Sequence, residues 1–355
     1  MKEERTAFDE APVSDGGSLA TAVVAAESAA ETLAPKKKKT INRSKLQDNL
    51  WGWAFVILLV LGTTFFVYVA FIITVVLSFS NYTGQPLFNY LSERFRVYNG
   101  DALYWYKYMF KPYSDTVFDL SLIGDSRNFW ATLGNSFFYL IGIPIGMILS
   151  IFLAVCMSRD IKGTNAFRVI YYIPTVASVV SISLVWNRLF NLDGAINQII
   201  GSSVPWLTGT PTLRKITILI LTTWKGLGGS VILFVAGMNG VNASYHEAAE
   251  IDGANAWSIF WRITLPQLYP TIFYVLVTSV IGGMQIYVEP ELIYGGYSTA
   301  GVGNAVTPFV GYIMDVIGRS PAQYGYGCAL SIMLAIIIFL FTLVEFALDS
   351  RRDKV

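Results

Sequence analysis

Charged residues are scarce in this 355-residue chain. Asp, Glu, Lys and Arg together make up 14% of the residues, whereas 54% are hydrophobic. A soluble domain carries about 25% charged residues. Because so little charge cannot cover a water-facing surface, the composition indicates an integral membrane protein. The net charge of +1 also argues against a nucleic-acid partner, which would favour a strongly basic surface.

Histidine and cysteine are scarcer still. The chain has one histidine, His246, which excludes a His-rich metal site, and we predict no metal centre. Its two cysteines, Cys156 and Cys328, lie inside apolar runs. This placement is typical of small packing residues and does not indicate a disulfide framework.

Residues 1–50 differ in composition from the rest of the chain. Residues 1–35 are rich in Ala, Glu and Ser without a hydrophobic period, and four consecutive lysines, Arg43 and Lys45 follow. We predict a disordered cytoplasmic tail that ends in a basic anchor at the membrane surface. The first apolar stretch begins near Trp51 and is long enough to span a bilayer. We therefore interpret it as a membrane span and not as a cleavable signal peptide.

Six apolar stretches are long enough to cross a bilayer, which takes roughly 20 residues of helix. They cover residues 51–79, 129–157, 169–187, 216–238, 270–288 and 324–344. Pro144 and Pro174 lie inside two of them, which neighbouring helices in a membrane bundle can accommodate. We predict an all-α integral membrane protein with six transmembrane helices, a membrane domain over residues 51–348 and a cytoplasmic tail over residues 349–355.

Basic residues determine the predicted orientation, because cytoplasmic loops carry an excess of Lys and Arg. With six spans, three basic groups fall on the same side of the membrane. They are the N-terminal run, the group Arg159, Lys162 and Arg168, and the group Arg351, Arg352 and Lys354. We therefore predict that both termini are cytoplasmic.

The cytoplasmic loop over residues 241–269, between the fourth and fifth spans, has a helical pattern. Ser244 and Glu247 have the spacing of a capping box, so we predict that Ser244 caps a short helix and that Glu247 reaches back to the cap amide. Gly253 is placed to end this helix in a left-handed conformation. A second helix is predicted over residues 256–264. From these features alone, an ordinary amphipathic connector remains an equal alternative.

This loop resembles the EAA loop of ABC importer permeases. The matching positions are Glu247, Ala248, Ala249, Gly253, Ile263, Leu265 and Pro266. The third span, with Pro174 and Trp186, and the start of the sixth, around Tyr326, are similar to the sugar-transporting branch of that family. The likeness covers residues 50–348 and is nearest to the maltose and multiple-sugar permeases.

The resemblance implies one subunit of a type I importer in the bacterial cytoplasmic (inner) membrane. Such a permease forms the translocation pathway with a second homologous permease, two ATPase subunits dock on the EAA loops, and an external binding protein delivers the sugar. The chain contains no G-x-x-x-x-G-K-[ST] phosphate loop. We therefore expect no enzymatic activity and no cofactor here, with ATP and magnesium bound by the partner subunits.

The resemblance also implies that the fourth to sixth spans supply the substrate contacts. The candidate pathway residues are Thr222, Trp224, Lys225, Gly226, Gly229, Ser279, Gly283, Gln285 and Tyr287. Trp224 is either a stacking platform for a sugar or a packing residue. Lys225 is a costly charge at membrane depth, so it either faces the pathway, pairs with Glu289 or Glu291, or extends to the membrane surface.

The sequence does not identify the cargo. Many relatives carry a Thr-x-Gly-Gly-Pro stretch after the fifth span, where this chain reads Leu292-Ile293-Tyr294-Gly295-Gly296-Tyr297. An acidic sugar, suggested by Lys225, and a glycerol-phosphate ester are alternative cargoes for the same machine. An ion-coupled secondary carrier is a rival of another class, which the EAA match argues against.

Overall fold

The structure is a computed structural model that describes residues 43–94, 96–97, 100–110, 126–158, 164–294, 306–318 and 323–352. The predicted tail over residues 1–42 lies outside these ranges, as do residues 353–355. Within them the chain is built from helices and turns, with an isolated antiparallel bridge between Ser80 and Val97 and no named strand. The all-α prediction is therefore confirmed for this part of the chain.

The chain divides into two compact units, residues 1–67 and residues 68–355. The first unit contains helix α1 (Arg43–Thr63) and the start of a π-helical segment, Thr64–Val69, whose last two residues belong to the second unit. Residues 43–50, which the composition assigns to the tail, thus form the first turns of α1.

The second unit contains the remaining helices. Its first half consists of α2 (Ala70–Leu77), α3 (Leu87–Asn89), α4 (Tyr104–Met109), α5 (Ser126–Tyr139), α6 (Gly142–Met157), α7 (Thr164–Val176), α8 (Val179–Leu189), α9 (Ala195–Ile200) and α10 (Pro211–Asn239). Its second half consists of α11 (Ala243–Ile251), α12 (Ala256–Ile259), α13 (Leu265–Gln267), α14 (Tyr269–Met284), α15 (Val288–Tyr294), α16 (Phe309–Gly318) and α17 (Tyr324–Arg352). The predicted C-terminal tail is therefore helical as far as Arg352.

Within the described residues, four helical stretches are long and apolar enough to cross a membrane. They cover Trp51–Leu77, Phe129–Met157, Pro211–Asn239 and Tyr324–Ser350. Two further pairs of helices meet the same criteria only together. They are Phe167–Val176 with Val179–Leu189, bent by 105°, and Ala256–Gln267 with Tyr269–Met284, bent by 62°. Six spans result if each bent pair counts as one.

The third predicted span, residues 169–187, is wrong as a single continuous helix. Pro174 lies inside α7 and has no N–H to donate to the preceding turn. The helix ends two residues later, and Ser178 takes an extended conformation with φ −56° and ψ 128° before α8 begins. Pro144 causes no such break, because α6 begins at Gly142 and the proline falls in its first turn, where no N–H is needed.

Helix α10 lies at the centre of the second unit and packs against α6, α7 and α14. Phe234 of α10 is fully buried together with Leu268 and Val275. A second core joins α4, α5, α16 and α17 around Tyr326 and Phe309. Large apolar side chains remain exposed along the span helices, as on α6. A surface of this kind is suited to lipid or to another membrane subunit.

Candidate functional site

A cavity of about 520 Å³ lies in the second unit, bounded by α6, α7, α10 and α14, the end of α5 and the first turns of α8 and α15. This volume falls in the roughly 300–1,000 Å³ range of small-molecule sites. Seven of the nine predicted pathway residues line it. They are Thr222, Lys225, Gly226, Ser279, Gly283, Gln285 and Tyr287. Trp224 and Gly229 are not among the lining residues.

Lys225 meets its counter-ion at the cavity wall. Its Nζ lies 2.6 Å from Oε1 of Glu289, and both residues line the cavity. The Lys225 side chain is 29% exposed and that of Glu289 is 12% exposed. The sequence left several alternatives open for Lys225. Two of them apply at once, since Lys225 pairs with Glu289 and also lies on the cavity wall.

Glu291 does not share in this ion pair. One of its carboxylate oxygens is buried and has no hydrogen-bond partner within the described residues. Burial raises the pKa of Glu291 above its usual range, and repulsion from the Asp315 carboxylate raises it further by a smaller amount. The two acidic residues of α15 therefore differ in role, since Glu289 alone of the pair lies against the cavity.

Hydroxyl groups supply most of the other polar atoms of the wall. Thr222 donates to the backbone oxygen of Ile218 at 3.0 Å and is thus satisfied within its own helix. Oγ1 of Thr223 and Oγ of Ser150 are buried and have no partner among the described residues. Tyr139, on the α5 side, donates its hydroxyl proton to the oxygen of Val306 at 2.6 Å.

Several polar lining residues are absent from the predicted pathway set, whose members all lie in the fourth and fifth spans. Tyr139, Ser150 and Thr175 come from the second and third spans, and Thr223 and Ser230 lie in the fourth. Polar side chains inside apolar runs are the signal that could have found Ser150 and Thr175.

Trp224 belongs to an aromatic cluster beside the cavity. Its ring centroid lies 5.1 Å from that of Trp186, which stacks on Phe190 at 5.1 Å. Phe190 in turn contacts Trp206 edge-on at 5.4 Å. This arrangement corresponds to the packing alternative for Trp224.

The loop that resembles the EAA motif forms two helices, as predicted, but its caps differ from the prediction. Helix α11 begins at Ala243, and the Asn242 side chain caps it by accepting from the Ser244 N–H at 3.1 Å. The capping box of Ser244 and Glu247 is therefore wrong, because the helix starts two residues too early for Ser244 to be the cap. Asn255 caps α12 in the same way, accepting from Ser258 N–H at 2.8 Å.

Gly253 ends the first helix in the predicted left-handed conformation, with φ +79°. The second helix does not stop at residue 264. It continues through a π-helical segment, Phe260–Thr264, into α13, which contains Pro266. The wider π turn, in which Leu265 N–H bonds to Phe260 O, carries the helix up to the proline.

The motif residues differ in exposure. Glu247, Ala248, Gly253 and Pro266 are exposed, and Ala249, Ile263 and Leu265 are partly buried. His246 lies with Nε2 3.1 Å from Oγ1 of Thr264. This contact joins α11 to the π-helical segment.

The corrected cap leads to a prediction. Asn242→Ala is expected to destabilise α11 by about 1 kcal/mol, because it removes the oxygen that satisfies an orphan N–H. Amide hydrogen exchange across residues 243–251 of the assembled transporter measures this as faster exchange in the first turn. The matched control is Ser244→Ala, which leaves the cap intact and should exchange at the unaltered rate. If amides of the first turn exchanged faster in Ser244→Ala than in Asn242→Ala, Ser244 and not Asn242 would be the cap.

Comparisons with known proteins agree with this architecture. The family described as "Binding-protein-dependent transport system inner membrane component" matches residues 142–354. The chain is 29% identical to the probable ABC transporter permease protein YesP of Bacillus subtilis (strain 168), covering 87% of this chain and 93% of that one. It is 26% identical to the multiple sugar-binding transport system permease protein MsmF of Streptococcus mutans, covering 87% and 98%.

The chain is 29% identical to the lactose transport system permease protein LacF of Rhizobium radiobacter, over 63% of this chain and 77% of that one. A chain of a bacterial alginate ABC transporter, solved in complex with an alginate pentasaccharide-bound periplasmic protein, shares the fold with a TM-score of 0.66. That likeness covers 88% of this chain and 98% of the other at 20% identity. Because the family match spans more than half of the chain, the protein belongs to the binding-protein-dependent transport system inner membrane components, the permease subunits of ABC transporters.

Proposed function

We propose that this chain forms one half of the translocation pathway of an ATP-driven carbohydrate importer in the bacterial cytoplasmic membrane, with six spans and both termini in the cytoplasm. The observation that carries the proposal is the cavity of about 520 Å³, whose wall combines hydroxyl, amide and tyrosine side chains. Sugars are bound by hydrogen bonds to such groups and by contact of their C–H faces with aromatic rings. The names of the relatives, which include lactose and multiple-sugar permeases, support this class of cargo.

The proposed partners are a second permease, two ATPase subunits and an external binding protein. The second permease would complete the pathway and cover part of the apolar surface of the span helices. The ATPase subunits would dock on α11, where Glu247, Ala248 and Gly253 are exposed. ATP and magnesium would be bound by those subunits. Closure of the ATPase pair would then bias the helix bundle toward one orientation through this loop.

Gly253→Val is expected to uncouple ATP hydrolysis from uptake. A Cβ at this position meets no heavy atom within 4 Å, so the effect comes from the backbone, where φ of +79° costs a valine about 1–2 kcal/mol. The end of α11 would shift, and ATP-dependent uptake should fall by about tenfold or more. The measurement is uptake and ATPase activity in proteoliposomes that hold the chain with a companion permease, ATPase and binding protein from the same genome.

The matched control is Gly253→Asn, since asparagine tolerates the left-handed region and should retain most of the uptake. Equal, full uptake by both variants would overturn the role of this loop. Accumulation that follows an ion gradient and needs no ATP would overturn the importer class. Accumulation of glycerol-phosphate esters without any of a panel of oligosaccharides would overturn the carbohydrate cargo.

A further inference from the structure

The cavity wall carries charge at one place. Among the lining residues of the described chain, Lys225 and Glu289 are the members of the Asp, Glu, Lys and Arg group, and they form an ion pair at 2.6 Å. The wall contributed by this chain is therefore neutral in total. In the sequence, Lys225 suggests an anionic cargo. In the structure it is paired with Glu289 and so presents no free positive charge to a ligand.

An anionic ligand would have to compete with Glu289 for Lys225. Glu289 as a whole residue is only 9% exposed. Losing its partner would therefore leave its carboxylate without a counter-ion in a poorly hydrated place. An anion placed beside the intact pair would be repelled by the same carboxylate. Glu291, two residues further along the same helix, is also acidic, so it supplies no positive charge that could offset this repulsion. The balance of charge thus disfavours uronates and phosphate esters.

A neutral sugar meets no such penalty. Lys225 donates one of its three ammonium N–H groups to Oε1 of Glu289, which leaves two N–H donors for a ligand. Glu289 likewise keeps its second carboxylate oxygen as an acceptor. A sugar hydroxyl both donates and accepts, so it can bond to either member without separating them. Gln285 and Ser279 add neutral polar groups on α14, and Tyr287 adds a ring.

We infer that this cavity selects uncharged polyhydroxylated solutes, and that Glu289 is the residue that determines this specificity by occupying Lys225. The inference rests on the proposed function, because it concerns the cargo that passes through the same cavity. It narrows the substrate class from carbohydrates in general to neutral oligosaccharides.

The test compares neutral oligosaccharides with their uronic acid counterparts, for example galactotriose with trigalacturonate within a panel of matched pairs. Equilibrium binding is measured on the assembled transporter without the binding protein, so that the selectivity of the binding protein does not enter. The unaltered transporter should bind the neutral member of a pair at least about tenfold more tightly. Glu289→Gln should shift the ratio toward the uronate by about tenfold, because it frees the charge of Lys225.

Two controls make the test specific. Glu291→Gln removes a carboxylate from the same helix but not from the cavity wall, and should leave the ratio unchanged. Lys225→Gln combined with Glu289→Gln has neither charge and should return the ratio toward that of the unaltered protein. Tighter binding of the uronate by the unaltered transporter would overturn the inference even if Glu289→Gln fails to assemble. So would an unchanged ratio in an assembled Glu289→Gln transporter.

The two levels of failure are distinguishable. ATP-dependent uptake of carbohydrate with the wrong charge preference overturns this inference and leaves the proposed function standing. Absence of ATP-dependent carbohydrate uptake overturns both.

Discussion

Gly228→Ala is expected to destabilise the transporter by at least about 3 kcal/mol, above the 1–3 kcal/mol typical of an overpacked core. A Cβ at residue 228 of α10 would overlap the backbone oxygen of Tyr171 and lie 2.5 Å from Oγ1 of Thr175, both on α7. A backbone oxygen cannot rotate away as a side chain can. The two helices would therefore have to separate, although alanine is the better helix former by about 1 kcal/mol.

The neighbouring glycine of the same helix provides the control. A Cβ at Gly229 would meet only Cγ2 of Thr175, at 3.8 Å, which is an ordinary contact. Gly229→Ala should therefore be neutral or stabilising by up to about 1 kcal/mol. The thermal unfolding midpoint of the purified transporter separates the two variants. Equal midpoints would show that α7 and α10 are not in close contact at this position.

Lys225→Met is expected to cost about 2–3 kcal/mol of stability, somewhat below the 3–5 kcal/mol of a fully buried broken pair, because the lysine is partly exposed. The loss arises at Glu289, whose carboxylate would remain in a poorly hydrated site without its counter-ion. Glu289→Gln should cost less, since the lysine left behind is the more exposed partner, at 29% against 12%.

A double-mutant cycle measures the coupling of the pair. Lys225→Met combined with Glu289→Gln should be more stable than Lys225→Met alone, because the uncompensated carboxylate is gone. Unfolding of the purified transporter by heat or denaturant gives the four free energies. If Lys225→Met were as stable as the unaltered protein, the two side chains would not form an ion pair in the membrane.

The apolar spans could be predicted from the sequence because hydropathy reports the bilayer-crossing part of each helix. It does not report where a helix begins. The fourth span was predicted from residue 216, whereas α10 starts at Pro211, with Thr210 as its cap. Those first residues are polar enough to escape a hydropathy criterion. The bend after Pro174 escaped it as well, since the extended conformation of Ser178 has no hydropathy signature.

The cavity was predictable in part. Lys225 stood out because charge is rare at membrane depth, and Glu289 was one of two candidate partners. The choice between Glu289 and Glu291 required the fold, since Lys225 and Glu289 are 64 residues apart in the chain. Ser150 and Thr223 could be recognised as polar, but which helix faces meet to form a wall depends on packing. The cap at Asn242 was missed because Ser244 is an equally good capping type two residues later.

The contact between His246 and Thr264 changes the mechanical character of the loop. These residues are 18 positions apart, so the hydrogen bond between their side chains closes the intervening chain into a ring. A ring of this kind has fewer ways to deform than an open hairpin of the same length. Movement of α11 is therefore expected to reach Tyr269 and α14 through this contact as well as along the backbone. We therefore expect the loop to transmit movement, with little local bending, to α14, the helix that carries Ser279 and Gly283.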